Sequence, residues 1–430
     1  MRMTIKRTTI LSFTLLGLTM WGIVPVAQTE EIAVGNTFGL GARAMGMGGA
    51  FVSTADDFTT LYWNPAGLAQ IRKFELFSSF SHNEMDTETQ FSQARETTDA
   101  GRSKTRPNSI GLVYPLYTTR GGMAIAVGYN RPQNFDSRIV VKGLDPSDDP
   151  VFGGFDVDES NSYKGGIGIW SLGTGVYVSE NIILGGALDY WYGKSLNELD
   201  SNAADVNGID MEIAGMEFHD TVDREYAGLG ARVGALAHLS EQVTLGLTAV
   251  FPMNLEIYEF WSQGTIVSFD DGERESDYTE GDIEYNIERP FEFTTGIAVK
   301  LLEKRLTLSA DVQFSDWTQA VYNPPPAEDI SSGYFEELYD STFQVRAGAE
   351  YHLSEIDTRF RAGFVHDPIP YRGKDIESNR NFLALGVGKI FDQTVKIDVA
   401  YMLGSWQQSD GELSEKRTDH RIFVSAAYRY

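Results

Sequence analysis

Leu306-Thr307-Leu308-Ser309-Ala310-Asp311-Val312-Gln313-Phe314 alternates at every step. One set of positions reads Leu, Leu, Ala, Val, Phe, and the other reads Thr, Ser, Asp, Gln. Successive side chains of a β-strand point to opposite faces, so this segment is a strand whose faces meet two different surroundings. Six times after residue 110 a segment of this kind runs into a short polar turn and straight out into another.

The rule extends along the chain. With every second residue taken as outward, segments 182–192, 229–239, 243–251, 291–301, 343–353, 395–403 and 422–430 place no Asp, Glu, Lys or Arg on that face. The opposite faces hold Asp189, Arg232, Arg346, Glu350, Arg361, Lys396, Asp398, Arg421 and Arg429. Charge is therefore sorted, not merely diluted. A lipid-facing Arg or Lys costs about 2–4 kcal/mol at mid-bilayer, so hydrocarbon would enforce such sorting. A soluble sandwich also alternates, but it tolerates scattered charge on its outer face.

No apolar window of about 20 residues follows the N-terminus, as a membrane-spanning helix would need, whereas a spanning strand needs only about 9–11. The 43 glycines and 12% aromatic content suit curved strands girdled at the membrane interfaces. With no cysteine there is no disulfide framework and no thiolate chemistry. Arg2, Lys6 and Arg7 precede an apolar run at 10–26, the order of a secretory signal peptide, which is expected over residues 1–27.

Short turns are expected at 118–121, 179–181, 240–242, 303–304, 354–357 and 392–394, and long polar loops near 95–107, 141–160, 194–224, 266–283, 320–340, 367–380 and 405–419. Six turns and seven loops join fourteen strands, with short periplasmic turns and long external loops. The fold expected is all-β, a 14-stranded antiparallel transmembrane β-barrel over residues 71–430. The last strand ends on Tyr430, with Tyr428, Ala426, Val424 and Ile422 on the same face, and resembles the C-terminal assembly signal of outer-membrane proteins.

The net charge of −26 gathers in the loops, as at Asp200, Asp205, Asp210, Glu212, Glu217 and Asp220. Nucleic acid is excluded as a partner because phosphate binding needs basic footprints. The acids suit solvated loops, with divalent cations bridging them to lipopolysaccharide as a further use. The six histidines are scattered singly, and no G-x-S-x-G or H-E-x-x-H occurs, so an enzyme is not expected. No metal site or cofactor is expected either.

Between the leader and the first strand, residues 28–70 are neither polar nor strand-like. Glycines and large apolar side chains mix at 35–51, and 55–63 is expected to form a short helix with Asp56 and Asp57 in its first turn. Asn64-Pro65 ends it, since proline pushes the preceding residue out of the α region. A phosphate cradle is excluded by the absence of a Gly-Lys-Ser/Thr continuation. A plug packed inside the barrel accounts for this composition better.

Residues 42–51 (ARAMGMGGAF), Ala55-Asp56-Asp57 and Tyr62-Trp63-Asn64-Pro65-Ala66-Gly67-Leu68 resemble the N-terminal hatch of the FadL/TodX family of outer-membrane hydrophobic-compound transporters, with Trp63 to Gly67 carrying its Asn-Pro-Ala element. The resemblance implies a fourteen-stranded barrel plugged by the hatch. It also implies uptake of long-chain fatty acids or aromatic hydrocarbons, from a groove between external loops to a pocket beside the hatch and out sideways where the third strand is kinked.

Several residues are candidates for those parts. Leu196, Leu199, Ala203, Val206, Ile209, Ile213 and Met216 recur at helical spacing in the third external loop, as an apolar landing surface or as a lid packed on the rim. Pro132, after Asn130, is either a side door in the third strand or a plain loop residue, because proline cannot donate to a ladder. Arg232, Arg346 and Arg361 are inward cations, available to anchor a carboxylate or to pair with interior acids. A monomer with one hydrophobic ligand is expected. The alternative within the family is a PorV-like subunit that handles secreted or surface-attached proteins.

Overall fold

A computed structural model of the chain describes residues 31–91, 97–144, 155–206, 208, 212–327, 330, 333–410 and 413–430; the expected leader at 1–27 lies outside these. Alternation is realised throughout. The strands are β1 (Glu75–Phe91), β2 (Thr98–Leu116), β3 (Met123–Asn130, then Ser137–Leu144), β4 (Asp156–Tyr177), β5 (Ile182–Ala204), β6 (Ile213–His238) and β7 (Val243–Val250, then Met253–Phe269). They continue as β8 (Arg274–Arg289, then Glu292–Leu301), β9 (Leu306–Asp316), β10 (Ser341–Leu353), β11 (Thr358–Asp367), β12 (Asp375–Phe391), β13 (Val395–Asp410) and β14 (Leu413–Arg429).

All neighbouring pairs are antiparallel, and β1 pairs β14 from Glu75↔Arg429 to Phe91↔Leu413, which closes a fourteen-stranded barrel. Closure pairs the first strand with the last, the condition for crossing hydrocarbon with strands, and leaves unpaired edge only at the breaks described below. All six short turns fall where expected. On β9 the quoted stretch has Leu308 and Val312 exposed outward, while Ser309 and Asp311 are buried. Outward aromatic residues such as Trp170, Tyr190, Phe251, Phe291 and Phe343 supply an interfacial girdle.

Two expectations are corrected. Most of the supposed loop sequence is strand: β2 takes up 98–107, and β5 and β6 consume all of 194–224 except 205–212. Leu196 and Leu199 therefore lie on β5 and Ile213 and Met216 on β6, in no helix, and Ile209 lies outside the described residues. Beyond the membrane both strand faces meet water, so the hydropathy alternation that marks a strand fades although its backbone ladder continues. The helix expected over 55–63 is the single turn α2 (Thr60–Trp63), preceded by α1 (Ala42–Gly46). Asp57 is held outside α2, where its carboxylate accepts from Thr59 N–H at 3.1 Å and Thr59 Oγ1 at 2.6 Å and pairs with Lys396.

Residues 31–71 pack against the inward faces. Phe38, Leu40, Met45, Met47, Phe51 and Trp63 form one apolar cluster with Val365, Phe382, Met402, Trp406 and Phe423, and Phe58, Leu61 and Leu68 form another with Phe77, Val113 and Ala126. The wall makes room with glycine: a Cβ at Gly185 would stand 2.3 Å from the Ala66 nitrogen, and one at Gly175 would stand 2.8 Å from the Pro65 oxygen.

Candidate functional site

Asn64 fastens the N-terminal segment. Its side chain donates to Val52 O at 2.8 Å and to Ala235 O on β6 at 3.1 Å, and its oxygen accepts from Ala66 N at 3.2 Å. Pro65 then opens a 3₁₀ turn, Pro65–Gln70, for which the missing N–H is no loss. The Asn64 side chain thus holds two stretches of the segment to the wall at once.

Ionic contacts repeat this fastening. Arg43 pairs with Asp56 and, at 3.0 Å, with Glu350 on β10, which also takes Arg361 Nε at 2.7 Å. Arg361 reaches Asp398 at 2.9 Å, and Lys396 joins Asp398 to Asp57. Asp311 accepts the Phe51 and Val52 N–H groups at 2.7 and 2.9 Å. Buried charges are tolerable when paired in this way. Arg361 is committed to the network and lines none of the cavities described below.

The third strand is broken. The ladder of β3 to β2 ends at Ser109↔Asn130, and that to β4 stops at Ile169↔Asn130 and resumes at Tyr163↔Ser137. Between them residues 131–136 turn inward, and Pro132 O accepts from Phe38 N–H at 2.7 Å. The upper half of β3 has no ladder with β2, so the wall there lacks a row of backbone bonds. Gly165 and Gly166, at φ 120° and 151°, let β4 bend around the intrusion; a Cβ at Gly166 would stand 2.3 Å from Gln133 O. Arg106 on β2 latches the segment, with Nε and Nη2 both 2.7 Å from the Asp136 carboxylate. Asn130 is fully buried, and neither its side-chain oxygen nor its nitrogen has a hydrogen-bond partner.

A cavity of about 160 Å³ lies against this break. Phe38, Met85, Phe135, Ile139, Trp406 and Leu413 give it an apolar lining, and Arg380, Arg417 and Arg421 bring cations to it. Arg421 is held by Asp419 at 2.7 Å and by Phe38 O at 2.8 Å, with its guanidinium over the Phe38 and Phe382 rings. A second cavity of about 70 Å³ is lined by Tyr62, Trp63, Trp191, Arg232, Arg289, Trp317 and Arg346. Of the sequence candidates, Arg232 and Arg346 meet there, Arg232 bound to Asp189 at 2.8 Å and Arg346 to Gln313 at 2.6 Å.

The external candidates lie elsewhere. Ile213 and Met216 are buried with Phe155, Val157, Ala203 and Phe269 at the tips of β4 to β7, whereas Leu196 and Leu199 are half-buried in β5. Sequence reasoning missed the interior packing of residues 317–340. There Tyr322, Tyr334, Phe335 and Tyr339 join Phe135, Tyr226 and Tyr285 in a lumen-filling cluster. The signal was present: a segment read as a polar loop carries Tyr322, Tyr334, Phe335 and Tyr339.

Known structures share this architecture. A FadL homologue from Pseudomonas aeruginosa matches at 15% identity and TM-score 0.62, covering 92% of this chain and 99% of that one. The P. putida toluene transporter TodX matches at 15% and 0.60, covering 91% and 99%. A deltaS2 mutant of the TodX monoaromatic hydrocarbon channel gives 16% and 0.65, over 93% and 100%. Among curated protein sequences none matches. At such identities these likenesses establish the fold, the one the alternation implies. The model of the outer membrane protein transport protein family (OMPP1/FadL/TodX) matches residues 23–428, and the chain belongs to that family of outer-membrane barrels.

Proposed function

We propose that this protein takes up hydrophobic small molecules passively across the outer membrane. The ligand enters from the external end, rests in the cavity of about 160 Å³ beside the N-terminal segment, and leaves sideways through the broken third strand at Asn130 to Asp136. The observation that carries this reading is the contact between that cavity and the strand break, with Phe135, Asp136 and Ser137 lining both. Residues 28–70 act as the hatch and residues 1–27 as the export leader of a monomer. The buried apolar cluster at the tips of β4 to β7 acts as a lid packed on the rim, and divalent cations tie the acidic rim to lipopolysaccharide.

Size bears on the substrate. A cavity of about 150 Å³ is enough for benzene. A monoaromatic hydrocarbon would therefore sit wholly inside, whereas a long-chain acid would leave most of its tail in the break, with its head toward Arg421. Mass spectrometry of whatever ligand survives purification distinguishes the two. Ser137→Trp, which fills the cavity at the break, should abolish hydrophobe uptake by cells while the barrel still assembles. Unchanged uptake would sink the reading. A stable protein partner in place of a ligand would instead favour the PorV-like role, for which the walls of β4 to β8 rising beyond the membrane offer surface.

A further inference from the structure

A second interruption crosses the wall on another side. β7 is broken at Phe251-Pro252 and β8 at Pro290-Phe291, so no ladder bonds join the two strands between Glu292↔Val250 below and Arg289↔Met253 above. Two prolines face each other there and neither has an N–H to give. Beside them β9 gives way to the 3₁₀ turn Trp317–Gln319, beyond which the short piece Val321–Tyr322 pairs with Ile287 and Glu288 of β8. The lower strand pieces below these breaks have 8, 10 and 11 residues, and the lower half of β3 has 8. A spanning strand needs about 9–11 residues, so all four interruptions lie at the outer edge of the hydrocarbon.

Outside this seam runs a groove of about 760 Å³, lined by Tyr190, Leu229, Pro252, Met253, Pro290 and Phe291, and Arg289 also lines it. Arg289 lines the inner cavity of about 70 Å³ as well, so it stands between the two. Its guanidinium lies 4.8 Å from the Trp191 ring and 5.6 Å from the Trp317 ring, and Nη2 binds Glu292 at 3.1 Å. Arg289 Nη1 and Trp191 Nε1 are both buried and have no hydrogen-bond partner. Unmet buried donors cost free energy, so two of them beside one cavity point to an acceptor that belongs there.

We infer that the proline seam of β7 and β8 is a second lateral portal, a binding site for a free acyl carboxylate held in the outer leaflet. The carboxylate accepts from Arg289 Nη1 and Trp191 Nε1, and the acyl chain passes between Pro252 and Pro290 into the outer groove. Glu256 and Glu288 on the groove's rim repel a multiply charged phosphate head, which favours a single carboxylate. The inference rests on the uptake reading and adds a second site to it, and it uses none of the residues of the strand-three route.

The test is photolabelling of the full-length protein in lipid vesicles with a hexadecanoic acid carrying a diazirine a few carbons from its carboxyl group, followed by peptide mapping. Labelling is expected near Leu229, Met253 and Phe291, and Arg289→Gln should reduce it at least about tenfold, the loss of a charge-assisted bond to a desolvated carboxylate. Because Arg289 is buried, Leu229→Trp is the companion variant. It fills the groove from the lipid side with Arg289 in place and should abolish labelling at Met253 and Phe291. Seam labelling that survives both variants, or that the methyl ester of the probe gives equally well, overturns the inference. Labelling only at Phe135 and Ile139 overturns it and leaves the uptake reading standing; labelling at neither place overturns it together with the fatty-acid form of the uptake reading, and leaves uptake of aromatic hydrocarbons to the ligand found by mass spectrometry.

Discussion

The Asn64 side chain ties two stretches of the N-terminal segment to β6. Its three hydrogen bonds join Val52, Ala66 and the wall at Ala235, so Asn64→Ala leaves two buried carbonyls without that donor. Each unmet group costs about 1–3 kcal/mol. The cost falls on the fit of the segment in the lumen, because the ladder of β6 does not depend on this side chain. Planar-bilayer recordings should show raised small-ion conductance with the heat-modifiable barrel band intact; conductance equal to that of the parent would count against the fastening role. Asp136→Ala acts at the same scale. It strips Arg106 of a carboxylate with two 2.7 Å contacts. Arg106 is part-buried, so losing its partner costs less than the ~3 kcal/mol of a fully buried pair, and amide exchange should quicken over 131–136 and stay unchanged in β10.

Above the membrane the strands form an aqueous wall with its own titration. Glu159 on β4 is pushed up to about 7 by burial and by the nearby Asp220 charge, and burial raises Asp220 on β6 to about 6. An acid whose folded value is raised favours the folded wall while it is protonated, and that contribution is lost as pH rises from the ordinary carboxylate range through about 7. Amide protection factors, corrected for the intrinsic base catalysis of exchange, should therefore be lower at pH 8 than at pH 5 in the outer parts of β4 and β6, and Glu159→Gln should shrink the difference; equal protection in the parent protein would refute this. These elements also mark where the sequence stops being legible. Spanning strands declared themselves because lipid on one side and paired charge on the other force a period of two. In β5 the pattern dissolves after Tyr192, where Leu196 and Leu199 follow a spacing that suits a helix although the backbone keeps its ladder to Arg224 and beyond. The inward cations Arg232 and Arg346 were readable from alternation; the cavity at the third-strand break was not, because Phe38, Phe135, Trp406 and Arg421 come from segments with no shared local pattern.

For the whole molecule, the bilayer's height is a measurable quantity. Ile297 lies five residues above the turn after β8, near the middle of the apolar band, and Phe260 faces the same way on β7 above the seam. Ile297→Arg should cost about 2–4 kcal/mol in denaturant unfolding from lipid vesicles, and Phe260→Arg less than about 1 kcal/mol. Similar costs at both sites would mean that hydrocarbon extends past the strand interruptions. One consequence reaches back before any ligand arrives. Glu75 meets Arg429 where the first and last strands join, and Phe74 O takes the N–H of Tyr430. The same seam encloses the forty residues upstream, with Arg43 and Asp57 reaching strands from the chain's far half. A chain whose first and last strands joined before that segment was inside would have to admit it through an open end of the barrel.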